Sequence, residues 1–258
     1  LNLELLVWKM QHYNLVVGVD QKYFDDWAAP LLKSVLKHNP NLRLHCHVVN
    51  PTKRNMITNV DITEEQITFD NDTSKISYLQ SVRFLVAANK FSYNEEVFTL
   101  DADTICTRKY NEEEIENLFS QQYVLQHYKD SRWLAGLIAF TNKDFRQEYA
   151  KELNSKEIKD WEWGRDQNIL AKLSKQYKFV PAPKNWISIG KNGARSVFLN
   201  GLGSVHWILW SNEYWFYNYR NICNSGNNHC SNFLFRSRRR WMCIARNLWS
   251  NHNHTAGS

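Results

Sequence analysis

The sequence predicts an α/β fold: a mainly parallel mixed sheet with helices on both faces and a functional site at the strand carboxyl ends. Three observations predict it. Leu15-Val16-Val17-Gly18-Val19 is an apolar run long enough for a buried strand, closed by Asp20. A second run, Val97-Phe98-Thr99-Leu100, delivers Asp101-Ala102-Asp103 at its end. Between and around them, strand-like and helix-like stretches alternate through the first hundred residues, as repeated strand–helix–strand units require.

The elements follow in order. After Asp20, Trp27, Leu31, Leu32, Val35 and Leu36 recur at helical spacing, predicting a helix from about Asp26 to Lys37 that Asn39-Pro40 stops. Leu42 to Val49 alternates as a second strand, a polar connection follows, and a helix is expected from about Ser77 to Asn89. The strand ending at Asp101 comes next, then a short acidic helix opened by Asn111-Glu112-Glu113-Glu114. Val124-Leu125-Gln126 and Leu134 to Phe140 read as strands, Asn142-Lys143-Asp144 opens a helix, and Asp166 to Lys175 forms another. Pro181 to Gly203 is rich in turn residues, with Ser204 to Trp207 as a last strand. Residues 1–210 are thus expected to form one domain and residues 211–258 a separate tail.

Composition narrows the function. A chain of 258 residues with 43% hydrophobic and 22% charged residues is globular in character. It holds no 18-residue apolar run and therefore no expected membrane span. Leu1-Asn2-Leu3-Glu4 lacks the basic-then-apolar pattern of a signal peptide, and without an initial Met there is room for a segment upstream. Cys46, Cys106, Cys223, Cys230 and Cys243 are odd in number and irregular in spacing, which gives neither a disulfide framework nor a zinc pattern. A cytoplasmic location is the simpler expectation. No Walker loop or Gly-x-Gly-x-x-Gly turn is present, so a nucleotide would be held by a metal and by strand-end groups.

Asp101 and Asp103 carry the chemistry. In an extended backbone, residues i and i+2 share a side, so the two carboxylates would sit together and repel unless a cation lay between them. Hard oxygen ligands suit Mg²⁺ or Mn²⁺ with coordination positions left for substrate phosphates. A plain strand-end cap is the alternative. Asp70-Asn71-Asp72 repeats the spelling but follows only a short apolar segment among Asn, Thr and Ser, which marks it as a solvated turn.

Taken in order, several segments resemble the GT-A glycosyltransferases, a Rossmann-like fold. More narrowly, they resemble the retaining branch that includes glycogenin and the bacterial lipopolysaccharide galactosyltransferases. They are Val17 to Tyr23, Lys33-Ser34-Val35, Tyr78 to Phe84, Leu100 to Thr104, Ala135 to Phe140, Asp166 to Leu170, and His206. The likeness covers about Leu15 to Trp207. It implies a hexosyltransferase using a nucleotide-sugar, most simply a UDP-sugar, with a carbohydrate, glycolipid or protein acceptor. Asp101, Asp103 and His206 would bind Mn²⁺ or Mg²⁺. Asp20, Tyr23, Arg83 and Ala102 would contact the donor, Tyr23 by stacking on the base and Arg83 through diphosphate or sugar hydroxyls. Asp166 and Gln167 would border the anomeric carbon, as catalytic residues in a reaction with retention.

The chain departs from this pattern at Leu134, where the family carries Asn. It departs again after His206, where Trp207-Ile208-Leu209-Trp210 lacks the expected lysine and leaves Lys191 or Arg195 as substitutes. These departures keep a non-catalytic sugar-binding relative in play. A sugar-phosphate nucleotidyltransferase is a further alternative, but Gly18-Val19-Asp20-Gln21 is not the glycine-rich basic loop it needs. From Ser211 onward six arginines face one acid, Glu213, with Trp and Phe interspersed. Such arginines and aromatics suit an anionic membrane and, on charge alone, nucleic acid equally; a poorly ordered, solvated tail is the alternative. The lipid-linked acceptors of the bacterial enzymes make peripheral membrane contact the expectation and nucleic acid a poor one.

Overall fold

The computed structural model describes residues 13–127, 131–189 and 196–200. His206, Lys191, Arg195, the strand expected at Ser204 and the tail from Ser211 lie outside the described residues. Strand β1 (Tyr13–Asp20) is buried along its middle six residues. The carboxylate of Asp20 then caps a helical turn by accepting from the Tyr23 N–H at 2.8 Å. A single wide turn, Phe24–Ala28, leads into α1 (Ala29–His38), which carries Pro30 in its first turn. Asn39 and Pro40 end that helix as expected.

β2 (Arg43–Val49) pairs parallel to β1. The polar connection that follows contains another strand, β3 (Val60–Glu65), parallel to β2 at the sheet edge. Helix α2 (Asp72–Lys90) begins five residues earlier than its apolar pattern suggested, because Asn71 caps the Ser74 N–H. The Asp70-Asn71-Asp72 copy is therefore an exposed helix start, as a solvated turn would be.

β4 (Glu96–Leu100) lies beside β1 on the side away from β2. The seven-stranded sheet runs β3-β2-β1-β4-β7-β6-β8, with β6 (Tyr123–Gln126), β7 (Trp133–Ala139) and β8 (Val180–Pro181) completing it. Only the β4–β7 and β6–β7 pairs are antiparallel. A three-stranded sheet that the sequence did not suggest joins β5 (Thr104–Cys106), β10 (Phe198–Asn200) and β9 (Ile187–Ile189).

Two cores follow from period-two alternation. Leu15, Val17 and Val19 pack with α1 and with α3 (Glu112–Leu118) on one face. Val16 shares the other face with α2, α4 (Lys143–Leu153) and α5 (Arg165–Leu173). Helices thus cover both faces. Among the described residues no helix is long and apolar enough to cross a membrane.

Helix α2 and β1 approach each other closely at Gly18. A methyl group there would meet Val82 Cγ1 at 2.6 Å and the Arg83 backbone N at 2.9 Å. Gly18→Ala should therefore destabilise the protein by about 1–3 kcal/mol, the usual cost of overpacking. Urea denaturation will measure it. Adding Val82→Ala should restore only part of the loss, because the Arg83 backbone cannot retreat.

Candidate functional site

The strand order turns back between β1 and β4: the chain winds outward from β1 through β2 to β3, then returns to the other side of β1. Open α/β sheets bind ligands at the carboxyl ends of strands flanking such a reversal. Asp20 closes β1 there, and Asp101 follows β4. The register aligns Val16 with Thr99, so Gly18 and Asp101 each come two residues farther along.

Asp101-Ala102-Asp103 is a turn between the two sheets, which corrects the extended geometry expected from its spacing. The Asp101 N–H donates to Gly136 O at 3.1 Å, and the Thr104 N–H donates back to Asp101 O at 3.3 Å. The chain has to leave one sheet and enter the other within three residues. Ala102 is buried in the core, which leaves the two carboxylates as the polar part of the turn.

Arg83 lies beneath them. Its Nη2 is 2.6 Å from Asp101 Oδ1 and donates to Ala135 O at 3.1 Å, while its Cζ lies 4.5 Å from the centre of the Phe84 ring. The guanidinium is 5% exposed, against 36% for Asp101. Its Nε is buried without a hydrogen-bond partner among the described residues. Burial first and the Asp101 charge second raise the Asp103 carboxyl to about 7, against the opposing pull of Arg83. The carboxyl of Asp166 is likewise raised by burial, to about 6, with Arg83 and the Gln167 N–H pulling it down and Asp101 adding a smaller push upward. Arg83 thus acts on all three carboxylates.

Asp166 stands in the first turn of α5, entered through Gly164 at φ 75°. A glycine tolerates that left-handed conformation without strain. The Asp166 Oδ1 accepts from the Gln167 N–H at 2.8 Å, and the buried Tyr149 hydroxyl donates to the Asp166 carbonyl at 2.8 Å. With its amide turned to satisfy both neighbours, Gln167 donates to Trp133 O at 2.9 Å and accepts from the Ala135 N–H at 3.0 Å. Gln167 thus clasps the backbone of β7, the strand whose Ala135 carbonyl also receives Arg83.

A cavity of about 190 Å³ opens beside Asp20, lined by Lys22, Asn50, Phe69, Lys75 and Leu79 among others. Tyr23, 51% exposed, is not part of its lining. The fold therefore brings Arg83, Asp101, Asp103 and Asp166 into one electrostatic group and places Asp20 at a neighbouring cavity. Among the described residues no three His, Cys, Asp or Glu side chains gather as a metal cluster. The third ligand expected, His206, lies outside the described residues.

No known protein-family model matches this chain, and no curated protein sequence matches it.

Sequence reasoning missed Tyr149 and the cavity residues Asn50, Phe69 and Lys75. Nothing local in the sequence marks them: Asn50 follows β2, Phe69 lies in the loop after β3, and Lys75 and Tyr149 sit on α2 and α4. Arg83→Met should lower stability by about 1–3 kcal/mol, less than the full cost of breaking a buried pair because Asp101 is partly solvated. Arg83→Lys should recover part of that loss, keeping the charge but not the rigid planar guanidinium. Urea denaturation of both variants at neutral pH will show it.

Proposed function

We propose that this chain is a metal-dependent glycosyltransferase that moves a hexose from a nucleotide-sugar, most simply a UDP-sugar, to a hydroxyl acceptor with retention. The observation that carries the proposal is the convergence at the strand reversal of Asp101, Asp103 and Asp166 around the buried Arg83, with the Asp103 and Asp166 carboxyls both raised by burial. Buried carboxylates held above their ordinary range by burial and by one another accept a divalent cation readily. The two carboxylates are hard oxygen donors and suit Mg²⁺ or Mn²⁺. Asp101 and Asp103 would hold the ion, with His206 as the further ligand implied by the resemblance. When bound, it supplies charge stabilisation for a departing diphosphate.

The protein groups have separable roles in this reading. Asp20 and the cavity beside it would take the nucleoside, with Lys22 and Lys75 offering charge at its rim. Arg83 would fix the Asp101 carboxylate and add positive charge near the diphosphate. Asp166 would face the sugar and stabilise positive charge developing at its anomeric carbon. Gln167 would hold β7 in place for this, leaving acceptor attack on the same face as the departing group as the simplest route to retention. A non-catalytic relative would keep the cavity and lose the turnover.

Two measurements test the reading. Calorimetry should show UDP binding that is at least tenfold tighter with Mn²⁺ than with EDTA, with the difference abolished in Asp103→Ala and kept in Asp72→Ala. Equal affinity in EDTA would refute the metal–diphosphate assignment. Donor hydrolysis in Asp166→Asn should fall by about 10²–10³, the typical loss of one preorganised charge, with UDP affinity little changed. Metal-dependent UDP binding with no turnover of any UDP- or GDP-sugar would favour the non-catalytic relative.

A further inference from the structure

A second cavity, also of about 190 Å³, is built by α5 and the segment leading into it. Its lining is Lys156, Glu162, Arg165, Asn168, Ile169 and Lys172. A space of about 10–15 Å³ holds one water, so this one admits a group of several heavy atoms. Arg165, Asn168, Ile169 and Lys172 recur at helical spacing and form one stripe along α5. The lining carries three cations and one carboxylate.

Arg165 is the buried member, 9% exposed, with its Cζ 5.2 Å from the centre of the Trp161 ring. All its hydrogen bonds among the described residues are made by Nη2. That nitrogen donates to the Glu152 carbonyl at 2.7 Å, the Leu153 carbonyl at 2.9 Å and Ser155 Oγ at 3.2 Å. The two carbonyls belong to the last turn of α4, so this arm caps a helix end that carries about half a negative charge. Capping accounts for one nitrogen of three. Nε is buried without a partner, and Nη1 makes no hydrogen bond among the described residues. No carboxylate among the described residues pairs with Arg165, because Glu152 Oε2 is taken by Lys172 Nζ at 2.7 Å. A guanidinium so deeply buried is ordinarily matched by an anion.

The rest of the cavity is preformed. Trp161, 2% exposed, donates from Nε1 to the Lys156 carbonyl at 3.1 Å, and Ser77 Oγ donates to the Glu162 carbonyl at 2.8 Å. The core beneath therefore fixes the backbone that carries both rim residues. The side chains of Lys156, Glu162 and Asn168 are exposed and make no hydrogen bond or ion pair among the described residues.

The chemistry selects the ligand. Donors converge from different directions: the free Nη1 of Arg165 from the floor, and Lys156 and Asn168 from the rim. That arrangement suits a tetrahedral oxyanion, whose oxygens point apart, better than a planar carboxylate. Three cations less Glu162 leave the lining at 3 − 1 = +2, the complement of a phosphate dianion. Glu162 is the one repulsive group, and a hydroxyl on the molecule that carries the phosphate would donate to it.

We propose that this cavity is a phosphate-binding site, in which Arg165 Nη1, Lys156 and Asn168 donate to the phosphate oxygens and Lys172 adds charge. The occupant is a phosphate group, either the free ion or an ester on a hydroxylated molecule. The site uses none of Asp101, Asp103, Arg83 or Asp166 and needs no metal, so it does not depend on the sugar-transfer reading.

Titration of the full chain with sodium phosphate in EDTA, at constant physiological ionic strength and followed by ¹H–¹⁵N NMR, tests it. The Arg165 Nε–H and Asn168 side-chain amide signals should shift together and saturate. Lys156→Gln should weaken binding about tenfold, the loss of one charge-assisted hydrogen bond. Lys151→Gln removes the same charge from an exposed position on α4 and should leave binding unchanged. Both lysines are exposed, so neither variant endangers the fold. Glycerol phosphate distinguishes the sources. Tighter binding than phosphate, with the advantage removed by Glu162→Ala, identifies an ester as the occupant, and equal binding identifies the free ion. The absence of a saturable shift at Arg165 and Asn168, or equal weakening by Lys156→Gln and Lys151→Gln, overturns the proposal.

Discussion

The absence of a side chain at Gly18 is the constraint on which the site depends. Helix α2 rests its backbone directly on β1 at this point, closer than any Cβ would permit. That approach drops Arg83 into the layer between helix and sheet, where its guanidinium reaches past the end of β4. Small buried residues along the same helix, Ser74, Ser77 and Ser81, let it stay close over several turns. A bulkier seat would lift Arg83 away from Asp101, and the carboxylates would lose the cation that lets them crowd.

Burying a guanidinium is costly, and the return here comes from geometry as much as from charge. Arg83 uses one nitrogen for both Asp101 and the Ala135 carbonyl, so it ties the turn after β4 to the strand beside it. Gln167 grips the same stretch of β7 from the helix side. Asp166, the residue just before Gln167, is thereby fixed relative to Asp101.

Much of this was legible in the sequence. The apolar runs ending at Asp20 and Leu100 located the two strands that flank the reversal, and caps such as Asn111 and Asn142 marked helix starts. Asp101, Asp103, Arg83 and Asp166 were identified and do converge. β3 was not legible, because its inward face is Asp61, Thr63 and Glu65, polar residues whose partners His45 and His47 are contributed by another strand. The three-residue strands β9 and β10 are too short to show a period. The turn at Asp101 was also hidden, since its shape is dictated by a second sheet whose strands come from far along the chain.

That second sheet has a consequence for how the protein is made. β5 is synthesised early, yet its partner β10 arrives almost a hundred residues later, and Trp186 and Phe198 stack on each other against Phe98 from the large sheet. Contacts so distant along the chain close slowly. During translation the strands from β1 to β4 can assemble first, while the turn bearing both aspartates waits for its far side. The nascent chain therefore acquires a frame well before it acquires a finished site, and chaperone-accessible aromatic surface persists until the last strand docks.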